Sequence, residues 1–232
     1  MTGLVSPMRT MRGLPGRQGS GRGTITRAYP NGVPLTGLSG SYISTADKAG
    51  LAIAADLELE ADVSLTDWTP SSAMTFIAQW RAVAGGRSYS FRVFTSGILQ
   101  LLYSLDGATT VTASSTVAPT VADGARLGVK VTLDVDNGAS GRDVKFWTSS
   151  DLASWSQLGS TVTVATPATL NNSAEPLTIG ARDLGATEPL AGRVYRAIVR
   201  SGIGGTVVAN FDASVSGASG YTDAYGNVWA IN

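Results

Sequence analysis

"PLTIGARDLGATEPLAGRVYRAIVRSG", Pro176 to Gly202, is the stretch whose reading decides the fold. Leu177–Ile179 reads as a short strand closed by Gly180, and Arg193 to Arg200 as a second strand in which apolar and polar residues alternate. A polar loop carrying Arg182, Asp183 and Glu188 joins them, and Gly192 lets the chain enter the second strand closely. A further strand, TVVANFDAS, follows.

The same period of two extends outward on both sides. In DLELEADVSL, Leu57, Leu59, Ala61, Val63 and Leu65 share one face, and Asp56, Glu58, Glu60 and Asp62 share the other. MTFIAQW (Met74 to Trp80) and YSFRVF (Tyr89 to Phe94) are the next strands, and Asp106-Gly107 closes ILQLLYSLDG in a tight turn. RLGVKVTLDVDNG turns Leu127, Val129, Val131, Leu133 and Val135 inward and Lys130, Thr132, Asp134 and Asp136 outward. No amphipathic helix of useful length interrupts this pattern. About a dozen short strands at intervals of roughly 8–15 residues predict an all-β, antiparallel two-sheet sandwich. Its expected core includes Leu57, Leu59, Phe76, Phe91, Val129, Val131, Leu133, Ile179 and Phe211.

The sequence L-T-I-G, a variable loop, A-G and then V-Y-R-A-I-V resembles the concanavalin A-like jelly roll in its laminin G-like branch. Tyr42 to Pro70, and N-F-D-A followed by T-D-A-Y-G-N-V-W-A-I-N, resemble the laminin G-like domains of tail and other virion proteins of phages that infect actinobacteria. The resemblance covers residues 35–232, leaving residues 1–34 as an extended arm rich in Gly, Pro and Arg. It implies a virion structural protein and not an enzyme: a minor tail protein displaying a jelly roll for adhesion or host-surface glycan binding. The implied location is the exterior of the virion, on the tail. The alternatives are a capsid decoration protein of the same fold and, from another class, a free carbohydrate-binding module or glycan-degrading enzyme.

Composition narrows the chemistry. Lys+Arg and Asp+Glu are each 17 in 232 residues, so the net charge is zero and no global field recruits nucleic acid or an anionic membrane. Neither cysteine nor histidine is present, which excludes disulfides, thiolate metal sites, Ser-His triads and His-ligated zinc. No apolar run approaches the roughly 18 residues of a membrane span. The N-terminus lacks the apolar core of a signal peptide, so an exterior location would be reached through lysis.

Charge is concentrated in the arm, where Arg9, Arg12, Arg17, Arg22 and Arg27 precede the first acidic residue, Asp47. Such a strip suits carboxylates at a subunit interface, with other virion proteins and further copies of this chain as partners. Tyr29 is the arm's one aromatic, which disfavours nucleic acid.

Elsewhere the candidate chemistry competes with plain structure. Asp56, Glu58 and Glu60 form an i, i+2 carboxylate pattern of the kind glycosidases use, and a solvated strand face explains it as well. Asp134, Asp136, Asn137 and Asp143 could supply oxygen ligands to calcium, but Asn137-Gly138 is sufficiently explained as a turn, and no cofactor is expected. Ser149 to Trp155 resembles the Asp-box hairpin, one residue short and with alanine for glycine, and implies a folding unit. Trp68, Trp147, Trp155, Tyr221 and Tyr225 lie at turns or strand ends where an aromatic face could stack on a sugar.

Overall fold

The computed structural model describes residues 29–232. In chain order the first strands are β1 (Val33–Thr36), β2 (Ile43–Thr45), β3 (Leu57–Leu65), β4 (Met74–Trp80), β5 (Arg87–Val93), β6 (Leu99–Tyr103), β7 (Val111–Ser114) and β8 (Arg126–Asp134). They are followed by β9 (Arg142–Ser149), β10 (Ser156–Gln157), β11 (Val162–Val164), β12 (Leu177–Ile179), β13 (Ala191–Ser201), β14 (Thr206–Asp212), β15 (Gly220–Thr222) and β16 (Val228–Ile231). The helical content of the described residues is two 3-10 turns, Ala49–Leu51 and Ala213–Val215, and no helix among them is long and apolar enough to cross a membrane.

The strands form two eight-stranded sheets with antiparallel pairing throughout. The first runs β1-β13-β3-β8-β9-β10, with β14 also on β13 and β11 also on β9. The second runs β15-β16-β2-β12-β4-β5-β6-β7. The stretch Pro176–Gly202 therefore supplies a central strand to each sheet, β12 between β2 and β4, and β13 against β3. Gly192 permits the second junction: a Cβ there would sit 2.0 Å from the Ser64 carbonyl oxygen of β3, and its φ of 151° is one that L-residues rarely adopt.

Alternation sends one face of each strand inward, and all nine expected core residues are buried, at 0–1% exposure. Phe91 of the second sheet links the layers, with its ring centroid 5.1 Å from Phe76 and 6.4 Å from Phe146 of the first sheet. Edge and tilted contacts of this kind add to the area these rings bury.

The sandwich begins earlier than residue 35. Val33 is fully buried and faces Val194, Tyr29 Oη donates to the Ala218 carbonyl, and Arg193 donates to the carbonyls of Asn31 and Gly32. Residues 29–34, assigned to the arm by composition, thus belong to the first sheet and its margin, because two apolar residues spaced by two suffice for an edge strand whose outward positions are Pro34 and Thr36.

Candidate functional site

The outward face of the first sheet carries the densest polar and aromatic chemistry. Register sets Asn210, Ile198, Glu60, Lys130 and Trp147 in one row across five strands. The neighbouring row is Asp212, Arg196, Asp62, Gly128 and Ser149. The carboxylates of β3, expected to be solvated, are covered instead: Glu58 and Asp62 are 5% and 3% exposed. Arginines from both neighbouring strands reach over them. Arg200 Nε lies 3.0 Å from Glu60 and 3.2 Å from Glu58, and Arg126 grips Asp62 in a two-bond fork, with its guanidinium 3.9 Å from the centre of the Tyr195 ring.

These contacts set the electrostatics of β3. Burial pushes the Glu58 carboxyl up, opposed by the Gly204 N–H that donates to it. The fork with Asp62 raises Arg126 further. Both Glu58 and Glu60 are engaged by Arg200, so the i, i+2 carboxylate pattern is held as an ion-pair ladder. Thr132, expected outside, is buried at 4% in the same layer.

The connection between β9 and β10 folds back onto this face. Ser149 and Asp151 organise it: the Leu152 N–H donates to Ser149 Oγ, and the Ala153 and Ser154 N–H groups donate to Asp151. Those two backbone donations, Ser154 foremost, hold the Asp151 carboxyl at about 2. The turn places Leu152 and Trp155 over Gly128, where a Cβ would lie 2.5 Å from Leu152 Cδ2 and 3.3 Å from Trp155 Cη2. Leu152 pays for this placement with a φ of 62°, and a non-glycine residue held there signals a position fixed for its side chain.

Leu152 is the shared wall of the depressions on this face. One, of about 290 Å³, is lined by Asp62, Arg126, Gly128 and Asp151, and the next, of about 230 Å³, by Tyr195, Arg196, Asp212 and Pro30. Trp155 and Ile198 line a small cleft between Glu60 and Arg196. Together the depressions reach the lower end of the size of small-molecule sites, roughly 300 Å³ and above.

The aromatics expected to contact a sugar separate into three groups. Trp147 and Trp155 meet on this face, with Lys130 Nζ 5.4 and 4.6 Å from their ring centres, and the buried Trp147 indole N–H has no partner. Trp68 does not qualify: it is 3% exposed, its indole N–H donates to the Ala125 carbonyl, and its ring packs on Phe76. Tyr221 and Tyr225 lie beyond the β14 edge of this sheet, where Asp223 ties their segment to Asn210. The Tyr221 ring lines a wider cleft of about 670 Å³ beside β14, but its hydroxyl accepts from Asp212 N and donates to the Asn210 carbonyl. Tyr225 is 42% exposed on the turn before β16.

Tyr195, Arg196, Arg126 and Leu152 were not legible as site residues. Tyr195 sits at a register shift between Val194 and Arg196, which alternation does not reveal, and a period of two does not show where a long arginine side chain reaches. The residues proposed to bind calcium are used within their turn: Asn137 Nδ2 donates to Asp143, which also accepts from Thr163, and Asp134 accepts from the Asp136 N–H. Among the described residues no group of three or more acidic side chains converges as a cation site. Arg9, Arg12, Arg17, Arg22 and Arg27 lie outside the described residues.

No protein-family model matches the chain, and no curated protein does. Solved structures do. The CBM40 module of Ruminococcus gnavus IT-sialidase, solved bound to α2,3-sialyllactose, is 12% identical, with a TM-score of 0.50 over 72% of this chain and 88% of that one. A heptameric SAP-like pentraxin from Limulus polyphemus is 11% identical, with a TM-score of 0.50 over 73% and 75%. The leech intramolecular trans-sialidase is 14% identical, with a TM-score of 0.50 over 83% of this chain and 28% of its own. Likeness at such identities concerns the backbone alone. The chain has the fold of an antiparallel two-sheet jelly-roll sandwich.

Proposed function

We propose that this chain is a non-catalytic glycan-binding jelly roll displayed on the exterior of a phage particle, as a minor tail protein used for adhesion. The observation that carries glycan binding is the outer face of the first sheet, where Trp155 and Leu152 offer apolar surface beside Glu60 and Arg196. A sugar needs this combination: an apolar ring face stacks on an indole while its hydroxyls bond carboxylates and guanidinium groups. That CBM40 was solved with a bound sialyllactose supports a binding role for a sandwich of this shape. The phage setting rests on the resemblance of Tyr42–Pro70 and of the C-terminal T-D-A-Y-G-N-V-W-A-I-N to virion proteins. In this reading the arginine-rich N-terminus joins the domain to other virion proteins and to further copies of itself, and no cofactor is required. A capsid decoration protein is the alternative within the virion, and a free carbohydrate-binding module or glycan-degrading enzyme is the alternative outside it.

The test of binding is a glycan array with the full chain, repeated with Trp155→Ala. Binding that falls about tenfold in the variant, the equivalent of roughly 1.4 kcal/mol, supports the site. Unchanged binding moves the site elsewhere, and an array without a hit ends the glycan reading. Mass spectrometry of purified particles checks the setting, since absence from both tail and capsid excludes a virion role.

A further inference from the structure

We propose that the groove on the first sheet accepts uncharged saccharides and discriminates against acidic ones. This deepens the glycan-binding reading and rests on it. Of the cations on this face, Arg193 donates to the Asn31 and Gly32 carbonyls, Lys145 stands outside the groove opposite Thr132, and three more are committed. Arg126 is forked onto Asp62 and stacked on Tyr195, Arg200 is held between Glu58 and Glu60, and Lys130 lies between two indoles.

Arg196 is the cation left for a ligand. It is exposed, it lines the groove, and its one side-chain hydrogen bond among the described residues is a 3.4 Å contact to Asn210. Strand register sets a carboxylate directly opposite it on each neighbouring strand, Asp62 on β3 and Asp212 on β14. Asp62 is neutralised by Arg126, so a sugar carboxylate reaching for Arg196 would meet the Asp212 carboxylate at cross-strand distance, about 4.5–5.5 Å between Cβ atoms. Like-charge juxtaposition across an interface is a device of rejection. A neutral sugar meets no such barrier, because its hydroxyls donate to Asp212 and Glu60 and accept from Arg196. The guanidinium thus orients hydroxyls between two acceptors and does not serve as an anion anchor.

The experiment is a glycan array pairing each neutral oligosaccharide with the same oligosaccharide capped by sialic or uronic acid, read for the full chain and for Asp212→Asn. Asparagine keeps the oxygen that accepts from the Ser214 N–H, so the local turn is retained. The expected result is binding of neutral members only, with Asp212→Asn raising the ratio of acidic to neutral binding about tenfold. Preference for acidic members, lost in Arg196→Gln, would overturn the inference and leave glycan binding standing. No binding to any saccharide would overturn both.

Discussion

Leu152 and Gly107 hold the same position in two copies of one turn. In Ser104-Leu105-Asp106-Gly107-Ala108-Thr109 the fourth residue has φ 77° and its N–H donates to the serine hydroxyl, while the next two N–H groups donate to the aspartate. In Ser149-Ser150-Asp151-Leu152-Ala153-Ser154 every one of these bonds recurs, with φ 62° at Leu152. Glycine is the residue this backbone favours, and a leucine there costs roughly 1–2 kcal/mol. Leu152→Gly should consequently change stability by no more than about 1 kcal/mol, strain relief offsetting lost burial, while glycan affinity falls. The converse, Gly107→Ala, should cost about 2–3 kcal/mol, since its Cβ would lie 2.6 Å from Gly85 Cα in addition to the backbone strain. Urea unfolding of both variants checks the pair.

Gly128 is the seat on which that leucine rests. Its backbone lies outside the left-handed region, so a larger residue is opposed by Leu152 and Trp155 above it and not by its own φ. Gly128→Val should lift the β9–β10 connection, weaken saccharide binding and raise the solvent exposure of Trp155. Tryptophan fluorescence quenching reads the last effect, and an unchanged quenching constant would show that the turn does not depend on this contact.

Alternation made the core legible and the outer face illegible. Leu133 and Val131 were placed correctly because an inward strand position has one destination, and Leu133→Ala should cost about 2–5 kcal/mol. Thr132 and Lys130 were misjudged as solvated. Their surroundings are supplied by long side chains and a folded-back turn, namely Arg200, Trp147 and Trp155, whose reach is not encoded in a period of two. Lys130→Ala should therefore cost about 1 kcal/mol, the order expected of its two aromatic contacts, and not the few tenths of a solvated lysine. Chemical denaturation of Lys130→Ala beside Leu133→Ala compares the two faces directly.

The C-terminal motif has a mechanical role. Asp223 accepts from the N–H groups of Asn210, Tyr225 and Asn227, from the Asn227 amide and from the Trp229 indole. With Tyr221 on Asp212 N and Asn227 on the Val208 carbonyl, these side chains occupy the open edge of β14 in place of a strand. Burial would raise the Asp223 carboxyl, but the donations from Asn210, Asn227 and Trp229 outweigh it and hold it below its ordinary value. A depressed carboxyl contributes stability that is present above its unfolded pKa, about 3.9, and is lost as pH falls through the folded value. Glu58, shifted upward by burial, has the opposite sign: its contribution is full below its unfolded pKa and is lost as pH rises through the folded one. Asp223→Asn should consequently flatten the loss of stability below about pH 4 and, by weakening the edge cap, promote aggregation. Thermal melts from pH 5 to pH 2 with light scattering measure both.

The N-terminal boundary fixes the last prediction. Residues 1–28 carry all five arginines assigned to assembly, whereas Val33 and Leu35 are 0% and 4% exposed and their strand pairs with β13 from Val194 to Ala191. Removing residues 1–28 should leave a cooperatively folding sandwich that no longer enters particles or oligomerises. Removing residues 1–36 also deletes two buried apolar side chains, each of the order of 1.5–3 kcal/mol, and strips the hydrogen-bond partners from one edge of β13. The longer deletion should lower the urea midpoint strongly and the shorter one hardly at all. Sedimentation velocity and incorporation into particles then separate assembly from folding: normal oligomers from the 29–232 protein would place the interface on the sandwich and leave the arginines without the role assigned to them.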